Sequence, residues 1–202
     1  MDQQYTEQDA RVVRDLKKIE DDYHLASVTL SERFMLAAVQ AIKKAAHETF
    51  QVIENDWTAT LADSAWKATR GVTVDATIDL AEVCADEDRE YCWLTAATAG
   101  GPTRLGLELV FRPGLHETSQ KIIRDDKLMA AIWKTGFMRD ETDAWLFIPI
   151  VVPSLLLAEG LTTNDLDKAL APVTKAVEQV TAAKAEIDKI VELVRTAAKV
   201  TR

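Results

Sequence analysis

The sequence predicts a single-domain α+β protein: an antiparallel or mixed sheet of four to five strands, flanked by N-terminal helices and a long, kinked C-terminal helix. Three observations carry this. Apolar residues recur at helical spacing before residue 54 and again after residue 154. From Thr73 to Phe111 the spacing changes to two, and from Ala144 to Val152 an apolar run is hydrophobic on both faces. The chain's 202 residues suit one domain, with 1–54 helical, 73–152 as the sheet core and 154–202 helical again. A chain of this length buries roughly 70% of its unfolded surface and needs no disulfide or metal staple.

In chain order, Thr6-Glu7-Gln8-Asp9 resembles a capping box, and Val12, Leu16, Ile19 and Tyr23 follow at helical spacing, which predicts a helix over 7–25. Thr29-Leu30-Ser31-Glu32 is a second capping box, and Phe34, Ala38, Ile42, Ala45 and Phe50 line the apolar side of a helix expected to run to about Ile53. Residues 55–72 carry no clear period and are read as loop.

Ala76, Ile78 and Leu80 alternate with Asp75, Thr77 and Asp79, the pattern of a strand with one wet face. An acidic loop, 85–90, then turns the chain into a second expected strand, 91–98. Gly100-Gly101-Pro102 turns it into a third, where Leu105, Leu107, Leu109 and Phe111 alternate with Gly106, Glu108, Val110 and Arg112. Together these predict a three-stranded β-meander. A helix is expected over 117–134, closed by Gly136, and Trp145–Val152 reads as a buried strand. After Gly160, Leu166, Leu170, Val173, Val177, Val180, Ile187, Val191 and Val194 form a heptad-like seam, interrupted by Lys184. Pro172 should kink or restart that helix near Ala171.

A net charge of −9 argues against a protein built to grip nucleic acid, which needs concentrated Lys and Arg. The longest apolar run is broken by Pro149 and Pro153 and is too short to span a bilayer, so no membrane segment is expected. Cys84 and Cys92 flank the acidic loop without metal-ligand spacing. With no signal-peptide pattern at the start, they read as free thiols of a cytoplasmic protein. His24, His47 and His116 lie on separate elements. Gly100-Gly101-Pro102-Thr103 lacks the Gly-Lys-Ser/Thr ending of a phosphate loop.

Two kinds of site remain. In a regular meander Asp75 and Asp79 share a face with Arg104, Glu108 and Arg112. Carboxylates converging there would hold Mg²⁺ or act as an acid–base pair, or they would be the charged side of an ordinary solvated sheet. Asp75, Asp79 and Glu108 are the catalytic candidates, and no dedicated metal or cofactor site is expected.

The second kind is a partner surface. Val177, Val180, Lys184, Ile187 and Val191 on the seam form either a helix-mediated dimer or the packing face against the chain's own helices. Trp57 and Trp66, among polar residues, would mark a contact surface if exposed. Between Glu54 and Asp126 fourteen acidic residues face seven basic ones, which suits docking on a basic protein.

The order helix, three antiparallel strands, helix, strand resembles in topology the restriction-endonuclease-like fold. That resemblance implies a metal held by an Asp on the second strand and an Asp/Glu-x-Lys on the third. Here the third strand reads Glu108-Leu109-Val110, with valine at the lysine position, and the second has no Asp. The leading expectation is therefore a non-catalytic binding or adaptor protein working through protein–protein contact or self-association as a homodimer. A divergent metal-dependent nuclease or hydrolase, with Mg²⁺ as cofactor, is the alternative.

Overall fold

Four helical segments joined end to end begin the chain: α1 (Glu7–Arg14), α2 (Leu16–His24), a π-helical turn over Leu25–Leu30, and α3 (Ser31–Ala46). The computed structural model describes residues 6–46, 48–67, 74–83, 93–98, 103–140 and 144–200. His47, Cys84, Cys92, the acidic loop 85–90 and the Gly100-Gly101-Pro102 turn lie outside the described residues. The π-turn is tied by Ser31 Oγ, which donates to the Ala26 carbonyl at 2.7 Å. The last three of them run as one continuous rod of 31 residues, Leu16–Ala46. Its second half packs: Phe34, Met35, Ala38, Val39 and Ile42 are buried against the sheet. The helix Leu16–Ala46 is long and apolar enough to cross a membrane by length and composition alone, and 33% of its most apolar window is buried in the domain.

The helix ends at Ala46, earlier than expected, because the Ala46 carbonyl accepts from the amides of Thr49 and Phe50 and turns the chain. The β-branched stretch beyond it forms β1 (Gln51–Asn55), and the supposed loop contains β2 (Thr58–Ala62). The tight turn between them uses Asp56 at φ +41°. Asp63 then caps a single 3₁₀ turn, Ser64–Trp66, by accepting from the Ala65 amide.

β3 (Ala76–Val83) and β4 (Arg104–Phe111) pair antiparallel along their whole length. The meander therefore exists, but β1 and β2 supply its outer strands. The segment expected to be its middle strand carries α4 (Trp93–Ala97) in its described part. Ala96 and Ala97 are fully buried there, and the Ala97 carbonyl receives the Val152 amide at 2.7 Å. A short apolar run has no period long enough to separate strand from helix, and packing decided it.

β4 continues through a 3₁₀ turn into α5 (His116–Ile123), which is shorter than the expected 117–134 helix. After a stretch of turns, a third 3₁₀ segment, Ile132–Thr135, ends at Gly136, whose φ of +97° favours glycine. β5 (Met138–Arg139) and the buried β6 (Leu146–Ile150) complete one sheet of six strands in the order β1-β2-β3-β4-β6-β5, every pairing antiparallel. The sheet has one strand more than the upper expectation. The likeness to a restriction-endonuclease core loses its second strand, which is helical where described.

α6 (Ser154–Thr163) closes on Asn164 in the left-handed region, and α7 (Ala171–Val200) runs thirty residues. Pro172 lies in the first turn of α7, where a missing amide costs nothing, so the helix restarts there instead of kinking. α3 and α7 pack side by side over one face of the sheet, contacting β2 and β6 respectively. Ile78, Leu80, Leu105, Leu107, Leu109, Leu146 and Ile148 are fully buried beneath them.

Candidate functional site

The C-terminal seam faces inward. Val177, Val180 and Ile187 have no exposed surface and Val191 has 1%. They join α7 to α3, α5 and the sheet, so the packing face, rather than an open dimer surface, is what these positions form. Lys184 sits at the seam's edge, where Nζ pairs with Asp63 at 3.1 Å and Asp188 at 2.9 Å. Burial opposes its charge, and hydrogen bonds to Asp188 and Asp63 outweigh that, holding the ammonium above its usual range.

Trp66 is equally internal. Its ring packs at 5.7 Å from that of Phe50, and Nε1 donates to Asp188 Oδ1 at 2.8 Å. Trp57 is half-buried at the β1–β2 turn and shares a cleft with Leu36 and Trp93. Neither its exposure nor its setting singles it out from ordinary packing over a sheet edge.

The three candidate carboxylates separate. Asp75 is 4% exposed and bonded to two guanidinium groups: Arg112 Nε donates to Oδ1 at 2.6 Å and Arg195 Nε to Oδ2 at 2.8 Å. Burial pushes its pKa up, but the two arginines outweigh burial and hold it below the usual carboxylate range. Arg195 also donates to the carbonyls of Ala65 and Lys67, so the cluster ties β3, β4 and α7 together. Each carboxylate oxygen is tied to its own guanidinium at a buried position, the geometry of a structural clamp.

Asp79 and Glu108 do meet. They are register partners across β3 and β4, in a row that runs Thr60, Asp79, Glu108, Phe147 and Met138 across five strands. Burial raises the Asp79 pKa against hydrogen bonds from Thr60 and Thr77, and Asp79 Oδ1 is buried with no hydrogen-bond partner among the described residues. Glu108 is pushed up to about 7 by burial first, then by the negative charges of Asp79 and Asp140. Like charges directly opposite on a sheet are destabilising, so the pair holds a proton near neutral pH. Among the described residues no group of three His, Cys, Asp or Glu could hold a metal. The pair offers Mg²⁺ two facing carboxylates, with Val110 where the endonuclease likeness requires lysine.

One feature went unweighed as a site in the sequence although its residues are plain there. Every described side chain from Thr6 to Leu25 is exposed, and none of α2 is buried. Val12, Leu16, Ile19 and Tyr23, between 41% and 54% exposed, lie along one stripe of this helical arm. Lys17 and Lys18 pair with Asp21 and Asp22 one turn on, as exposed i,i+4 pairs do on a solvated helix. The signal was the period itself; what the period does not say is whether anything covers the stripe.

α3, residues 164–170 and the start of α7 border a groove of about 910 Å³, whose lining also holds Lys44 and Asp167. Arg33, Ala37, Ala41 and Ala45 climb one wall in steps of four, and Leu166, Leu170, Thr174 and Glu178 climb the other. Arg33 donates to Asn164 Oδ1 at 2.9 Å, which fixes the shared end of the two walls. Compared with protein-family models, curated proteins and solved structures, the chain has no match.

Proposed function

We propose that this chain is a non-catalytic binding protein, an adaptor or regulator that acts through protein–protein contact, with the N-terminal helical arm as its contact element. The observation that carries this reading is the exposed stripe Leu16, Ile19 and Tyr23 on α2, with Val12 on α1 just before it, away from the buried core. Isolated helices of this length are marginal in water and draw most of their stability from burying an apolar face. Spacing of four, three and four is that of an amphipathic helix laid into an apolar groove. The arm carries both signs of charge, with Glu20, Asp21 and Asp22 near its end and Arg11 and Arg14 near its start. That suits a protein surface better than an anionic lipid surface.

The test compares the full chain with Leu16→Asp/Ile19→Asp, each purified gently from the source cells and weighed by native mass spectrometry. A stoichiometric protein complex is expected for the parent and none for the variant, with the thermal unfolding of the domain unchanged. The same complex on both chains, or a bare monomer from the parent, overturns the reading.

A second reading, a divergent metal-dependent nuclease or hydrolase, rests on the Asp79–Glu108 pair. It requires Glu108→Gln to abolish a Mg²⁺- or Mn²⁺-dependent cleavage that the parent performs. Absence of any such cleavage by the parent, over millimolar metal, removes it.

A further inference from the structure

We propose that β1 is a docking edge for the β1 of a second copy of this chain, the two sheets joining antiparallel about a two-fold axis at Ile53. The two edges of the sheet differ. β5 is two residues long, Met138–Arg139, and a strand so short offers a neighbour little to pair with. β1 is a regular five-residue strand, Gln51–Asn55, without proline, lysine or a bulge. Among the described residues only β2 pairs with it, so its outer side is open. Ile53, at its centre, is 40% exposed.

The hairpin fixes which backbone groups are free. A two-residue loop closes β1 and β2 on the pair Asn55–Thr58, so the hydrogen-bonded pairs with β2 fall at Asn55, Ile53 and Gln51. The amides and carbonyls of Val52 and Glu54 then point outward. An antiparallel copy must set its own Val52 and Glu54 against them, which leaves three registers. Centred on Glu54, two carboxylates stand directly opposite, which is destabilising. Centred on Val52, Glu54 meets Phe50, which precedes the strand and is 4% exposed. Centred on Ile53, every residue of both strands is paired. Val52 and Glu54 exchange backbone hydrogen bonds twice over, Gln51 meets Asn55, and the two Ile53 side chains form the close, non-hydrogen-bonded pair. No like charges meet in that ladder.

Charge and bulk permit this seat. Glu54 is the one charged residue of β1, and α3 holds it: its carboxylate accepts from Lys43 Nζ and, at 3.3 Å, from Gln40 Nε2. Each copy therefore brings an internally matched pair to the axis. Glu48 and Asp56 are exposed past the two ends of the ladder, where solvent screens them. α3 lies over β1 and β2. At about 4.8 Å between strands, the α3 helices of the two copies stand about 10–14 Å apart, no closer than helices ordinarily pack. A two-fold axis also points the two arms in opposite directions, so the pairing does not use them.

The experiment is sedimentation equilibrium of the full chain from about 10 to about 200 μM, where mass action populates a weak complex. The parent is expected to approach twice the 22.4 kDa monomer mass and stop there, since a two-fold contact closes. Val52→Pro removes an outward amide and leaves the bonds to β2 in place; Ile53→Lys puts a charge at the axis. Both are expected to stay at the monomer mass, with thermal unfolding showing that each is folded. The arm variant Leu16→Asp/Ile19→Asp is expected to dimerise like the parent. Register is read by mild oxidation. Ile53→Cys should add a covalent dimer to whatever the parent gives, and Gln51→Cys should not, because its copies would lie about 13 Å apart along the ladder. A parent that stays monomeric overturns the proposal. So does a dimer that survives both edge variants, a dimer lost in the arm variant, or equal crosslinking at the two cysteine positions.

Discussion

Glu108 stands directly opposite Asp79 across the β3–β4 ladder, so two carboxylates share one half-buried patch of sheet. The sign of its effect on stability follows from the raised Glu108 pKa. The group titrates near 4.5 when unfolded and about 7 when folded, so between those values the folded state binds more protons. Stability from this pair is therefore full below about pH 4.5 and falls as pH rises towards and past 7. Partial exposure reduces the effect from the full linkage value to about 1–2 kcal/mol. Urea unfolding at pH 5 and pH 8 should show that fall in the parent. Glu108→Gln should flatten it and be the more stable protein at pH 8. A parent equally stable at both pH values, with the variant weaker, would contradict the assignment.

Asp75 has the opposite signature. Its pKa is held down by Arg112 and Arg195, so its contribution is present above the unfolded value of 3.8 and is lost as pH falls through the lower folded value. Asp75→Asn leaves two guanidinium groups facing a neutral amide at a site only 4% exposed, and should cost about 3 kcal/mol at pH 7. Arg195→Met should cost less, since Arg112 still neutralises the carboxylate. A double-mutant cycle by chemical denaturation measures the coupling, and a coupling near zero would deny the clamp its role.

The contrast between these two aspartates shows where sequence reasoning reached its limit. Alternation from Ala76 to Phe111 was enough to place Asp79 and Glu108 on one face, because a side-chain period of two leaves no freedom once the strands pair. Nothing in the period distinguished Asp79 from Asp75. The partner that separates them, Arg195, comes from α7, 120 residues away. Trp93–Ala97 misled for a related reason, since five residues are too few to carry a period and burial against the rod chose helix. For the seam on α7, periodicity revealed an apolar face but was silent on what covers it. The arm has the same pattern and the opposite fate.

Asp188 is a junction whose loss should exceed that of its ionic partner. It accepts from Lys184 Nζ at 2.9 Å and from Trp66 Nε1 at 2.8 Å. Asp188→Ala strands the indole N–H of a tryptophan that is 1% exposed, at about 1–3 kcal/mol. Lys184→Met keeps that bond and preserves most of the side-chain packing, so it should cost under about 1 kcal/mol. Chemical denaturation of the two variants orders them, and the reverse order would mean the ion pair with Asp63 and Asp188 is the stronger tie.

The seam on α7 and the stripe on the arm give opposite outcomes to the same chemical change. Val177 has no exposed surface, so Val177→Asp must bury a carboxylate without a partner, at a cost comparable to the whole stability of a domain. It should abolish the cooperative unfolding transition and the near-ultraviolet dichroism of the tryptophans. Ile187→Ala, a milder change at a position equally buried, should lower stability by about 2–5 kcal/mol while leaving the fold intact. Leu16→Asp adds the same charge to a residue 49% exposed on the arm, and the midpoint of domain unfolding should not move. If Val177→Asp instead folded normally and lost only self-association, α7 would present its seam outward. The arm would then give up its place as the contact element to the C-terminal helix.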